Sequence, residues 1–252
     1  EGQRKFMGTL WNTYAFYVLY ANIDNFDATK YTLDYEKLSV MEGFHCGHCG
    51  KFIEREEEEY CDDCRRFRHT FEEGYGVFPY RGWVKDSMMR FKFHGRKEYG
   101  EFYGRAMAAA GRERLGRWKP QVIIPVPMYR KKERMRGYNQ AEVLALSLGK
   151  HAVLPVRTDL VKRVHETKPQ KELTRDMRRK NLVRAFKVEN SAGSYSRVLL
   201  VDDIYTTGST ADAVASGLKQ KGVKSVSCWF SLSIPLLTAI NRTPFCGKKI
   251  SV

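Results

Sequence analysis

Residues 198–210 read VLLVDDIYTTGST, and this stretch restricts the fold more than any other. Four aliphatics in a row, Val198 to Val201, mark a buried strand. Two adjacent carboxylates, Asp202 and Asp203, follow at once, then a turn of small hydroxylated residues around Gly208. The flanking segments repeat the strand and helix alternation of an α/β domain. VIIPVP (122–127) reads as a short buried strand and YNQAEVLALSLGKH (138–151) as an amphipathic helix. KELTRDMRRKNLVRAF (171–186) reads as a strongly basic helix and RVLLVD (197–202) as a central strand. STADAVASGLKQKG (209–222) reads as a helix closed by Gly222, and VKSVSCWFSLS (223–233) as another strand. That order implies a mainly parallel sheet flanked by helices.

Open α/β sheets bind their ligands at the carboxyl ends of the strands, which is where Asp202 and Asp203 are expected. Two carboxylates there accept hydrogen bonds from vicinal sugar hydroxyls, directly or through metal-bound water. The turn that follows runs into a helix whose first amides and positive dipole end suit a phosphate. Thr206, Thr207, Ser209 and Thr210 add hydroxyl donors, and Gly208 permits close backbone approach. No Walker lysine accompanies this cradle, so nucleoside triphosphate hydrolysis is not expected.

Lys and Arg outnumber Asp and Glu by 44 to 29, a formal charge of +15 that favours polyanionic partners, nucleic acid or phosphorylated small molecules. RKKERMR (130–136) places five cations in seven residues. It either neutralises a diphosphate, tracks a nucleic-acid backbone, or forms a solvated basic face. Phe91, Phe93, Tyr129 and Tyr138 are candidates to stack on bases, with at least two of the four expected in the core. No stretch has the apolar length of a membrane span and no secretory pattern opens the chain, so a cytoplasmic location is expected.

Four of the six cysteines form two Cys-x-x-Cys pairs, Cys46/Cys49 and Cys61/Cys64. Eleven intervening residues allow a short hairpin that brings both pairs together, and four soft ligands in tetrahedral reach specify a closed, structural Zn²⁺ site. Two disulfides or four unliganded thiols are the alternative. His45 and His48 read as surface residues, the acidic run 54–59 as a solvated hairpin tip, and Cys228 and Cys246 as packing or incidental surface thiols. The expected layout is a zinc ribbon over 43–70, an α/β domain over 71–232 and a C-terminal tail over 233–252.

Four hydrophobics, two acids and then Thr207-Gly208-x-Thr210 resemble the phosphoribosyl pyrophosphate (PRPP) motif of type I phosphoribosyltransferases. PVPMYRKKERMRGYNQAEVLA, RVHETKPQKELTRDMRRKNLVRAF and MMRFKFHGRKEYG (88–100) resemble segments of the ComF (ComFC) late-competence proteins, which join a zinc ribbon to a phosphoribosyltransferase-like domain. That resemblance spans roughly 44–232. It implies that Asp202 and Asp203 orient the ribose hydroxyls of Mg²⁺-bound PRPP and that residues 206–210 grip its 5′-phosphate. Pro127, Met128 and Arg130 would lie near the pyrophosphate, under a mobile hood (163–180) carrying Arg163, Lys168, Lys171 and Arg175. A nitrogen nucleophile of unknown identity would attack the ribose if the protein turns over. The same resemblance implies binding of single-stranded DNA during natural transformation, through Lys131, Lys132, Arg134, Arg136, Arg178, Arg179 and Lys180, with a helicase-like partner. Residues 1–42 resemble a fragment of bacterial isoleucyl-tRNA synthetase without its catalytic motifs, and are expected to be a helical remnant with no activity.

Overall fold

The computed structural model describes residues 44–53, 55, 57–80, 82–166 and 182–233. The expectations for 1–42, for Lys168, Lys171, Arg175, Arg178, Arg179 and Lys180, and for the tail from 234 onward with Cys246 lie outside them.

The described residues start with a two-stranded hairpin, β1 (Phe44–His45) and β2 (Phe52–Ile53), then a short helix α1 (Asp62–Arg66). Strand β3 (Glu73–Pro79) leads into helices α2 (Gly82–Phe93), α3 (Tyr99–Ala110) and α4 (Arg112–Trp118). Next come β4 (Val122–Pro125), α5 (Arg130–Arg136) and α6 (Gln140–Ala152). A small antiparallel pair, β5 (Val161–Arg163) and β6 (Phe186–Val188), precedes β7 (Arg197–Tyr205), α7 (Ser209–Gln220) and β8 (Ser225–Ser233).

Strands β3, β8, β7 and β4 form one parallel sheet in that order, so the strand carrying the acid pair is internal. Alternate residues of a strand face opposite sides, and the core divides accordingly. Val198 and Leu200 pack with Val226, Cys228 and Phe230 against Val214 and Leu218 of α7. Leu199, Val201 and Trp229 pack on the other face against Met88, Phe91, Tyr103, Leu144 and Leu148 of α2, α3 and α6. Each fully buried aliphatic of this kind stabilises the fold by roughly 1.5–3 kcal/mol, which is why a run buried on both sides carries no polar residue until Asp202. Helices thus cover both faces of a parallel sheet, with a four-cysteine module in front, as the sequence implied.

That module docks on β3. Gly74 N donates to His48 O (2.7 Å) and Gly76 N to Gly50 O (3.0 Å), so the first cysteine knuckle extends the sheet edge. A Cβ on Gly74 would lie 2.5 Å from Cys49 O, closer than any side chain tolerates. The glycines of EGYGVFP therefore mark a docking seam.

Three expectations are corrected. The basic helix does not reach Phe186: residues 182–185 are helical, but Phe186 and Val188 alternate into the core and pair with β5. The hairpin turns around the first cysteine knuckle instead of linking the two knuckles. His45 and His48 are half-buried rather than surface residues, each ring bonded to a carbonyl, Gly50 O at 3.1 Å and Phe71 O at 3.1 Å. Strand β8 ends at Ser233, where the strand read over 223–233 ends.

Candidate functional site

Strand β7 outruns its neighbour. Pairing with β4 ends at Pro125 and Val201, while pairing with β8 continues to Tyr205 and Ser233. Asp202 and Asp203 therefore occupy the place where β7 is open on one side, at the carboxyl edge of the sheet. Asp203 follows Leu199 and Val201 in the alternation and meets Lys92 of α2, Oδ2 to Nζ 2.7 Å, with little of either side chain exposed. Asp202 follows Val198 and Leu200, and its Oδ1 accepts from Asp203 N at 2.8 Å. Burial, then the neighbouring Asp203 charge, pushes the Asp202 carboxyl up to about 8, against the pull of Lys92 and Arg163. Arg163 on β5 is close enough to feel Asp202. Burial draws its pKa down and Asp202 draws it back up, while its guanidinium lies 5.3 Å from the Phe186 ring centre.

In the turn, Thr206 and Thr207 are exposed, and Thr207 Oγ1 is 2.9 Å from Ser209 Oγ. Gly208 has φ 72° and caps α7, which begins at Ser209 and Thr210 and closes its first turn with Asp212 N to Gly208 O at 2.8 Å. A Cβ at Gly208 would fall 2.8 Å from both His69 Cε1 and Tyr205 Oη. Behind the turn, Asp212 Oδ2 meets His69 Nδ1 at 2.8 Å and Asp212 Oδ1 accepts from Thr70 N at 2.6 Å. His69 Nε2 meets the Tyr205 hydroxyl at 3.2 Å. Sequence reading singled out none of Lys92, His69, Asp212 and Tyr205. The one available signal was a carboxylate, Asp212, one turn into a helix on its apolar side.

The basic segment is fixed at both ends. It leaves β4 through Val126, Pro127 and Met128, forms α5, and ends at Gly137 with φ 83°. Asn139 then caps α6, accepting from Ala141 N at 3.2 Å and donating to Val126 O at 3.0 Å. A cleft of about 930 Å³ opens here, lined by Pro127, Met128, Arg130, Lys131, Arg134 and Arg163 among others. Lys132 and Arg136, which do not line it, turn elsewhere. Lys132 pairs with Glu166 at 3.9 Å, and Arg136 lies 4.7 Å above the Phe93 ring while donating to Gln140 Oε1 at 3.1 Å. Among the aromatics, Phe91 is buried and Tyr129 and Tyr138 are half-buried, the Tyr138 hydroxyl donating to Phe91 O; Phe93 is 55% exposed.

Cys46, Cys49, Cys61 and Cys64 carry free thiols that converge on one point instead of forming two disulfides, their Sγ atoms all within 4.8 Å of one another. Cys49 and Cys61 Sγ are 3.6 Å apart, and a tetrahedron with Zn–S bonds of about 2.3 Å has edges of about 3.8 Å. The four sulfurs fit a structural metal such as zinc and leave no ligand position for catalysis. No described helix is long and apolar enough to cross a membrane.

No family model matches the chain. Among solved structures, a purine phosphoribosyltransferase from Pyrococcus horikoshii Ot3 aligns with 58% of this chain and 94% of its own at 17% identity and a TM-score of 0.33, too low to bear on the argument. The DNA utilization protein YhgH of Escherichia coli O157:H7 is 29% identical over 143 residues, 56% of this chain and 63% of that protein. Competence protein F of Haemophilus influenzae is 33% identical over 190 residues, 73% of this chain and 82% of that protein. With so much of competence protein F matched at this identity, the chain belongs to the competence protein F (ComF) family.

Proposed function

We propose that this protein acts in DNA uptake, binding single-stranded DNA on its basic face and Mg²⁺-PRPP at the edge of β7. The observation that carries the ligand reading is the overrun of β7 past β4, which delivers Asp202 and Asp203 to an open edge immediately before a glycine-capped helix N-terminus. In this reading the acid pair takes the ribose hydroxyls, residues 206–210 take the 5′-phosphate, and Pro127, Met128 and Arg130 face the pyrophosphate with its Mg²⁺. The phosphoribosyltransferase-like assignment of the domain and the 43–70, 71–232 and 233–252 divisions belong to the same reading. The names of the relatives, competence and DNA utilization, supply the role; the exposed Arg130, Lys131 and Arg134 and the Phe93 ring under Arg136 supply a surface of matching chemistry. Calorimetric titration of Mg²⁺-PRPP into the metal-loaded protein tests the site. Micromolar binding that is lost in Asp202→Asn/Asp203→Asn is expected, and a folded wild type that takes up no PRPP refutes it.

A second reading, transfer of the phosphoribosyl group to a nitrogen acceptor, is favoured by the 930 Å³ cleft beside the basic turn, which has room for an acceptor next to cations that neutralise a leaving diphosphate. Release of pyrophosphate from PRPP in the presence of candidate bases separates this reading from simple binding.

A further inference from the structure

The four-cysteine module touches the hydroxyl turn through buried polar groups that neither bind the metal nor complete the sheet. Lys51, only 4% exposed, sits two residues beyond Cys49. Its Nζ is 3.4 Å from Asp63 Oδ2, between the two cysteines of the second knuckle, and 3.5 Å from Thr206 O in the turn. His69, in the connector leaving the module, is held by Asp212 on one nitrogen and by Tyr205 on the other. Gly208 packs directly on the His69 ring and the Tyr205 hydroxyl. Thr206, Gly208 and Asp212 are thus each held by the module or its connector. Backbone bonds to Gly74 and Gly76 also dock the module on β3, so these buried polar contacts come in addition to an attachment along the sheet edge. A buried ammonium and a buried carboxylate-imidazole pair are costly to desolvate and rarely persist where apolar packing would serve.

We propose that the cysteine module is a brace that sets the shape of the 205–210 turn, with Lys51 and His69 as positioning residues, so that metal occupancy and phosphate binding are coupled. The inference rests on the reading of that turn as a phosphate grip. Coupling between two sites is reciprocal: whatever factor metal removal costs in phosphate affinity, phosphate binding returns in metal retention.

Hydrogen exchange on the full chain tests the brace without any ligand. Five samples are compared: metal-loaded wild type, wild type stripped by a chelator, Lys51→Met, Tyr205→Phe and, as a rescue, Lys51→Arg, the variants keeping all four cysteines and nearly the same packing volume. Exchange across 205–212 is expected to quicken about fivefold or more in the stripped, Lys51→Met and Tyr205→Phe samples, with β4 and α6 unchanged and Lys51→Arg recovering protection. The companion measurement is zinc transfer to a colorimetric chelator with and without saturating Mg²⁺-PRPP, which is expected to slow when PRPP is bound. Unchanged exchange in Lys51→Met and Tyr205→Phe, with zinc release indifferent to bound PRPP, overturns the brace while leaving the ligand reading intact. Altered exchange in a protein that binds no PRPP does the reverse. If stripping unfolds the whole chain, metal-loaded Lys51→Met and Tyr205→Phe still decide.

Discussion

Asp202 holds its proton far above the range of an ordinary carboxylate, and this has a sign that can be measured. In the unfolded chain its pKa is about 4, in the folded protein about 8. Between those values the folded state keeps a proton that the unfolded state gives up, so stability falls as pH rises through that window and the penalty levels off above it. Asp202→Asn removes the titration. Its stabilising effect should be small near pH 4 and grow steadily to pH 8, read as urea midpoints at several pH values. A gain independent of pH would mean that Asp202 is ionised in the folded protein. Lys92 is the complementary case. Lys92→Met strips the little-exposed Asp203 carboxylate of a counter-ion 2.7 Å away, at an expected cost of about 3 kcal/mol in denaturant unfolding. Asp202 and Asp203 were legible in the sequence because the motif that carries them is local. Lys92 was not: it lies far back in MMRFKFHGRKEYG, and nothing in that stretch says which of its cations reaches the end of a distant strand.

At the scale of elements, the long apolar runs were readable and the glycine-rich ones were not. β7 and β8 announce themselves by continuous burial on both faces, and α6 and α7 by their periodicity. β3, written EGYGVFP, has the composition of a turn, yet it forms a sheet edge because Gly74 and Gly76 admit the cysteine knuckle and Tyr75, Val77 and Phe78 are buried. The same reasoning explains Phe186. In sequence it closes a basic helix, but the register with Arg163 makes it a strand residue, a tertiary preference that local pattern does not encode. The seam on β3 is itself a testable element. Gly74→Ala would put a methyl 2.5 Å from Cys49 O, a backbone atom that can yield only if the knuckle shifts. Overpacking of this kind costs about 1–3 kcal/mol, and here it should also loosen the metal, read as faster zinc loss to a chelator. Normal zinc retention in Gly74→Ala would show that the module seats on other contacts.

At the scale of the whole molecule, a formal charge of +15 suits either of the two proposed polyanions, and these differ in how they answer to salt and to metal, which separates the two proposed activities. A single strand bound along the exposed face of α5 displaces counterions, so its affinity should fall with log salt by about 0.7 for each phosphate neutralised. PRPP chelated to Mg²⁺ at the edge of β7 should depend on Mg²⁺ far more than on monovalent salt. Variants divide the same way. Lys131→Ala/Arg134→Ala should flatten the salt slope for an oligonucleotide by about 1.4. Phe93→Ala, which removes an exposed ring that already carries the Arg136 guanidinium 4.7 Å above it, should cost about 1–3 kcal/mol at any salt, the value of one stacked base. Asp202→Asn/Asp203→Asn should abolish PRPP binding and leave the oligonucleotide isotherm where it was. If that double variant shifts the DNA isotherm as well, the edge of β7 and the basic face form one continuous site. If the α5 pair weakens PRPP and leaves DNA untouched, the basic turn is a pyrophosphate grip alone, and the surface that meets DNA lies elsewhere on the molecule.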